Sequence, residues 1–193
     1  PGTDAATTVA GLDLRWAAVT LAGVRYLADE HTWVQSDQSG AGDVALALTL
    51  PCWTLLGILD RALELTIAHV NLRKQFGQPL SAFQGVQFQL TDAEVERSGL
   101  DILARYTLWS IATGRPESTD DALALRMSAI EAADIVFRVC HQLHGAVGFC
   151  DETTLSWLSR YSQPLRRLPW GLSATRDHLT RRTGRAGLTG LFA

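Results

Sequence analysis

Along most of the chain, apolar residues recur every third or fourth position, the period of a helix with one buried face. Leu46, Leu50, Leu55, Leu59, Leu63 and Ile67 keep close to this spacing and predict a helix over 43–75. Pro51 is expected to bend or interrupt it near its start. Gly77 and Pro79 stop it. Ser81 reads as the N-cap of a second helix reaching 113, ended by Gly114 and Pro116. Ser118, Thr119, Asp120 and Asp121 cap a third, alanine-rich helix over 121–143, which Gly145 and Gly148 break. Shorter helices are expected over 152–161 and 172–182, with a fraying tail rich in arginine and glycine after Thr183.

The front of the chain has a different pattern. Residues 7–10, 17–21 and 33–34 are short β-compatible runs separated by Gly11, Gly23 and acidic turns. A sheet this small does not stand alone; it leans on the helices or completes a larger sheet. Residues 36–42 are a run of turn formers that reads as a linker. The expected fold class is therefore mainly α: an antiparallel helical bundle over 43–193, preceded by a β-strand segment and linker over 1–42. No internal repeat is found.

Composition narrows the function classes. The 193 residues suit one domain of ordinary size with a small appendage. The most apolar segment, 44–58, contains Pro51 and Gly57 and is shorter than the roughly 20 residues a bilayer span needs. It reads as a core helix, and no membrane association is expected. A formal charge of -3 offers no attraction to nucleic acid or anionic lipid. No basic leader with a small-residue cleavage site precedes an apolar run, so a cytoplasmic setting is expected. Cys52, Cys140 and Cys150 lie far apart without metal-ligand spacing and fit reduced thiols. Lys74 is the sole lysine, a bias toward arginine that speaks of genome composition and not of fold.

Two segments place polar residues at helix ends. The first is 73–80 with Phe83 and Gln84; the second is 141–149. Arg73 in a last helical turn complements the helix dipole or meets an anionic ligand, and its position alone fits both. Phe76 before Gly77 fits a hydrophobic plug equally well, and Gly145 fits an ordinary helix stop. His141 and His144 stand three residues apart, but no carboxylate or further cysteine joins them at metal-binding spacing beyond the adjacent Cys140. No metal is expected. Glu94 and Glu96 lie on different helix faces and are expected in solvent.

Taken together, the two segments resemble the acyl-CoA dehydrogenase family, whose carboxyl-terminal domain carries both. Arg73, Phe76, Gly77 and Gln84 match its Arg-x-x-Phe-Gly turn and following glutamine without a gap. Gln142, Gly145, Gly148 and Phe149 match its Gln-x-x-Gly-Gly-x-Gly-aromatic turn, with Ala146 at the second glycine. The resemblance spans about 43–182, and residues 9–35 resemble the end of the family's middle β-domain more weakly. It implies FAD as cofactor, held across a subunit interface. Arg73 would neutralise the pyrophosphate, Gln84 would add a hydrogen bond, and Phe76, Leu80 and Phe83 would pack on the cofactor. Gln142, Gly145 and Ala146 would bring backbone against the adenosine.

The resemblance fails at the catalytic base. The family's glutamate precedes Gly-Thr, where this chain has Arg167-Leu168-Pro169-Trp170-Gly171-Leu172. The alternative base position, on the first helix, falls on Ala45-Leu46-Ala47-Leu48. Neither holds a carboxylate, so no catalytic residue is assigned. Match and mismatch together imply a divergent subunit of a heteromeric acyl-CoA dehydrogenase, paired with a catalytic subunit that passes electrons to an electron-transfer flavoprotein. The substrate would be an acyl-CoA, by analogy one with a steroid side chain. Two alternatives stand beside it: a helical scaffold that has lost flavin, and an oxidoreductase whose base has moved to Asp151 or Glu152.

Overall fold

The computed structural model describes residues 8–9, 12–13 and 39–186, with the side chains of 42–184. Strands β1 (Thr8–Val9) and β2 (Leu12–Asp13) pair antiparallel, Thr8 opposite Asp13. β1 falls within the first expected run, while the runs at 17–21 and 33–34 lie outside the described residues.

Helix α1 spans Ser39–Leu72 and passes through Pro51 without a break. Its apolar face explains this: Leu48, Cys52, Leu55, Leu56 and Leu59 are all buried, and that packing outweighs the one backbone hydrogen bond a proline removes. The helix is long and apolar enough to cross a membrane by length and composition, yet these leucines are committed to the protein core. It ends short of residue 75 because β3 (Lys74–Gln75) and β4 (Gln78–Pro79) form a hairpin around Phe76 and Gly77. Both turn residues have positive φ, 51° and 80°, as a two-residue type I′ turn requires.

A 3-10 turn at Leu80–Ala82 follows, and α2 spans Gln84–Ala112. The expected cap at Ser81 is therefore displaced: Phe83 takes the N-cap position with no side-chain cap bond. The Ser81 carbonyl instead accepts from Gln87 Nε2 at 2.9 Å. Helix α3, Ser118–His144, starts earlier than expected, with Asp120 and Asp121 complementing the positive end of its dipole. Helices α4 (Thr154–Tyr161), α5 (Gln163–Arg167) and α6 (Leu172–Ala186) complete the chain. The short α5 has no counterpart in the sequence reading, and α6 extends past 182.

The main core lies between α1, α2 and α3. A second cluster joins Val44, Ala45 and Leu48 of α1 to Ala122 and Leu123 of α3 and to Trp170. Beside it, Arg126 is 1% exposed. Its guanidinium donates to the carbonyls of Leu165, Leu168 and Trp170 and so fixes the α5–α6 connection to α3. Burial lowers its pKa, and burial pushes the neighbouring Cys52 thiol up to about 12 despite the arginine.

Candidate functional site

Because the three long helices alternate in direction, α1 and α3 end on the same side of the bundle. His69 and His144 mark the meeting point, their rings stacked at 4.4 Å. His144 Nδ1 is hydrogen-bonded to the Cys140 carbonyl at 2.9 Å, which fixes the orientation of the ring. Among the described residues no group of three His, Cys, Asp or Glu could hold a metal ion. The two sequence segments thus come together at one end of the fold.

From this end Arg73 extends the last turn of α1, its amide bonded to the His69 carbonyl at 2.9 Å. Its carbonyl accepts from Leu80, which closes the hairpin. The exposed Arg73 guanidinium has no partner among the described residues. Phe76 is 93% exposed, with its ring edge-on to Phe83 at 6.4 Å. Leu80, by contrast, turns inward onto the main core. Gln84 is exposed at the first position of α2, where backbone amides lack helical partners.

On the α3 side, Gln142 and Ala146 are exposed and Gly145 ends the helix at φ 64°. Gly148 has a separate, internal reason: a Cβ there would lie 2.8 Å from the Cβ of His144. An open recess is lined by Arg138, His141, Gln142, Gly145 and Phe149. Phe149 stacks on His141 at 4.4 Å. Arg138 was missed in the sequence, although it sits one turn before Gln142 on the same helix face. Burial lowers the pKa of His141, outweighing the raising effect of the Gly148 backbone, and its buried Nδ1 has no hydrogen-bond partner. His69 is lowered by burial first, then by His144 and Arg73.

The arrangement offers unpaired guanidinium and amide donors, an exposed phenyl ring and no lining carboxylate. It suits an anionic, partly aromatic ligand. A flavin dinucleotide fits those donors. At the far end of α1, the two family base positions meet in the second cluster, where Ala45 and Leu48 pack with Trp170. Asp151 pairs with Arg160 at 2.6 Å in solvent, and Glu152 is exposed.

Residues 49–169 match the family model described as acyl-CoA dehydrogenase, C-terminal domain. The chain is 36% identical over 92 residues to acyl-CoA dehydrogenase FadE28 of Mycobacterium tuberculosis (strain ATCC 25618 / H37Rv), covering 48% of this chain and 27% of that protein. It superposes on a steroid ACAD, Tcur3481-Tcur3483, with TM-score 0.69 and 26% identity, over 74% of this chain and 40% of that one. The ChsE4-ChsE5 complex from Mycobacterium tuberculosis gives TM-score 0.63 and 25% identity, over 75% and 37%. The chain spans about a quarter of the length of the curated relatives it matches.

Proposed function

The chain belongs to the acyl-CoA dehydrogenase family, and we propose that it serves such an enzyme as a subunit that contacts FAD and supports assembly while a partner subunit supplies the catalytic base. One observation carries the reading: Phe76 holds a positive φ with 93% of its surface in solvent, beside an Arg73 without a partner among the described residues. The hairpin turn sets that conformation, but the ring it carries meets only the edge of Phe83 and is otherwise left in solvent. A ligand or neighbouring subunit against the turn explains the exposed ring and the unpaired guanidinium. Arg73 would meet the pyrophosphate, with Gln84 beside it and Phe76 on the cofactor's apolar surface. Gln142, Gly145 and Ala146 would approach the adenosine.

The chemistry that FAD would supply when bound is a hydride acceptor for the acyl β-carbon. The apolar corner formed by Ala45, Leu48 and Trp170 leaves removal of the α-proton to the partner. Similarity to a steroid ACAD and to a two-protein complex supports a heteromeric enzyme. In this reading its substrate is a steroid side-chain CoA thioester, its setting the cytoplasm and its electron acceptor an electron-transfer flavoprotein. The test is to co-express the chain with its catalytic subunit and record the absorption spectrum of the purified complex. A stable complex with a flavin spectrum is expected; separate elution of the two chains, or a colourless complex, overturns the reading.

A flavin-free scaffold is the second reading. Its support is that Gly145 and Gly148 are both accounted for by the chain's own backbone and packing, and that Ala146 carries a methyl group. The colourless complex is the result it expects.

A further inference from the structure

The open recess lined by Arg138, His141, Gln142, Gly145 and Phe149 holds about 450 Å3. Burial lowers the pKa of His141, so its ring is neutral at pH 7. Arg138 is then the one charged group among these lining residues. It is exposed and has no partner among the described residues. The acid placed to pair with it is Asp134, one turn earlier on α3, and acid before base is the favourable order. Asp134 is held instead by Arg166 of α5, at 3.1 Å. The helix dipole does not account for Arg138 either. That effect fades within the last turn, and Arg138 stands six residues before His144, where α3 ends.

Other groups in the recess are free as well. The Gln142 side chain is exposed. Phe149 gives one ring face to His141 at 4.4 Å and keeps 67% of its surface in solvent. A guanidinium, an amide and an open aromatic face match the parts of a nucleotide. The phosphate takes the charge, the sugar or base edge takes the amide, and a base stacks on the ring. The volume is low in the range of roughly 300–1,000 Å3 for small-molecule sites, so the recess suits a nucleotide end and not a whole dinucleotide.

We infer that Arg138 is a further cofactor-binding residue, one that holds a phosphate of the adenosine diphosphate group of FAD. The inference rests on the flavin reading above and adds to it a side chain from α3. Arg73 and Arg138 bring two guanidiniums without partners among the described residues to one end of the bundle. The diphosphate of the cofactor carries two negative charges to meet them. Coenzyme A carries an adenosine diphosphate group too, and binding measurements with each separate the two sources.

The experiment uses the full chain co-expressed with its catalytic subunit. The complex is stripped of flavin, and its affinities for FAD, ADP and coenzyme A are measured by calorimetry, with assembly checked by sedimentation. Arg138→Gln should weaken FAD and ADP by the same factor, about ten-fold or more, and leave coenzyme A unchanged. Arg138→Lys keeps the charge without the planar fork and should fall between. Arg181→Gln removes an equal charge beside Arg182, which pairs with Asp120 at the opposite end of α3, and should change nothing. A parent complex purified without flavin overturns this inference together with the flavin reading. A yellow parent overturns the inference alone in any of four cases: it binds no ADP, Arg138→Gln keeps FAD as tightly or loses FAD but not ADP, coenzyme A weakens instead, or Arg181→Gln loses as much.

Discussion

Arg126 donates from both Nε and Nη2 to the carbonyl oxygen of Trp170, at 3.1 and 2.6 Å, across 44 residues of sequence. The same side chain also satisfies Leu165 and Leu168. Charged hydrogen bonds of this kind are worth about 1.5–3 kcal/mol each, and the carbonyls left behind would have no partner. Arg126→Met should therefore lower stability by about 3 kcal/mol or more in urea denaturation, with α5 and the α5–α6 connection losing protection first in hydrogen exchange. Uniform, modest destabilisation without local loss of protection would contradict the clamp.

Two glycine substitutions should act in opposite directions. Gly148→Ala forces a methyl group toward the Cβ of His144, a backbone-held atom that cannot swing aside, and should cost about 1–3 kcal/mol. Gly57→Ala, in the middle of α1 with open space around it, should gain about 0.5–1 kcal/mol. Thermal unfolding of the two variants beside the parent gives the comparison; equal shifts of the same sign would be the wrong result.

Stability should fall as the solution is acidified below about pH 6.5. His69 and His141 both have folded pKa values below their ordinary 6.5, mainly through burial. Above 6.5 both states carry neutral rings and the contribution is complete. Below it the unfolded chain takes up protons first, and stability declines until the folded pKa is passed. Melting temperatures between about pH 5.5 and 7.5 should rise with pH, and His69→Gln should flatten that slope. An unchanged slope in the variant would remove His69 from the account.

At the hairpin, Arg73→Lys should loosen FAD in the assembled complex and Arg73→Ala should loosen it by about ten- to a hundred-fold. Lysine keeps the charge that the α1 dipole favours but loses the planar fork. Gln84→Ala should do less, as a neutral bond is weaker. Flavin affinity is measured by equilibrium dialysis, with assembly checked by sedimentation. Normal assembly with undiminished affinity in both Arg73 variants leaves the scaffold reading in its place.

Supplied with FAD and a panel of acyl-CoA thioesters, the isolated chain should not reduce an artificial electron acceptor. Turnover within the usual range of about 1–1,000 per second would mean that an acid elsewhere performs the step.

The helices were legible because their signals are local. Leucine periodicity marked α1, and Gly114 and Gly145 marked the ends of α2 and α3 where the backbone takes positive φ. What the sequence withheld depends on contacts between distant segments. Pro51 gave a correct local warning that core packing overrode. Ser81 was a sound cap by composition, but the hairpin and the 3-10 turn shifted the helix start to Gln84. Arg126 gave one usable sign: it lies in register with the buried Ala122 and Ala129, a charge on an otherwise apolar stripe. Its partners are backbone carbonyls near the far end of the chain, and carbonyls leave no trace in a residue pattern. The site was recognisable only by the joint spacing of Arg73, Phe76 and Gln84 with Gln142 and Gly145. That the two segments share one end of the bundle required the fold.

The corner shared by Ala45, Leu48 and Trp170 also limits what this lineage can become. A single codon change that placed glutamate at Ala45 or Leu48 would drop an acid into a volume sealed by the indole. There burial favours the protonated form, and an acid that did ionise would be drawn to the buried Arg126 beside the cluster, so in neither state is it free to take a proton from substrate. Clearing the indole first would empty packed space, at about 3–5 kcal/mol, before any chemistry returned. Both intermediates are worse than the present chain. So long as a partner subunit performs the proton abstraction, the division of labour is one-way.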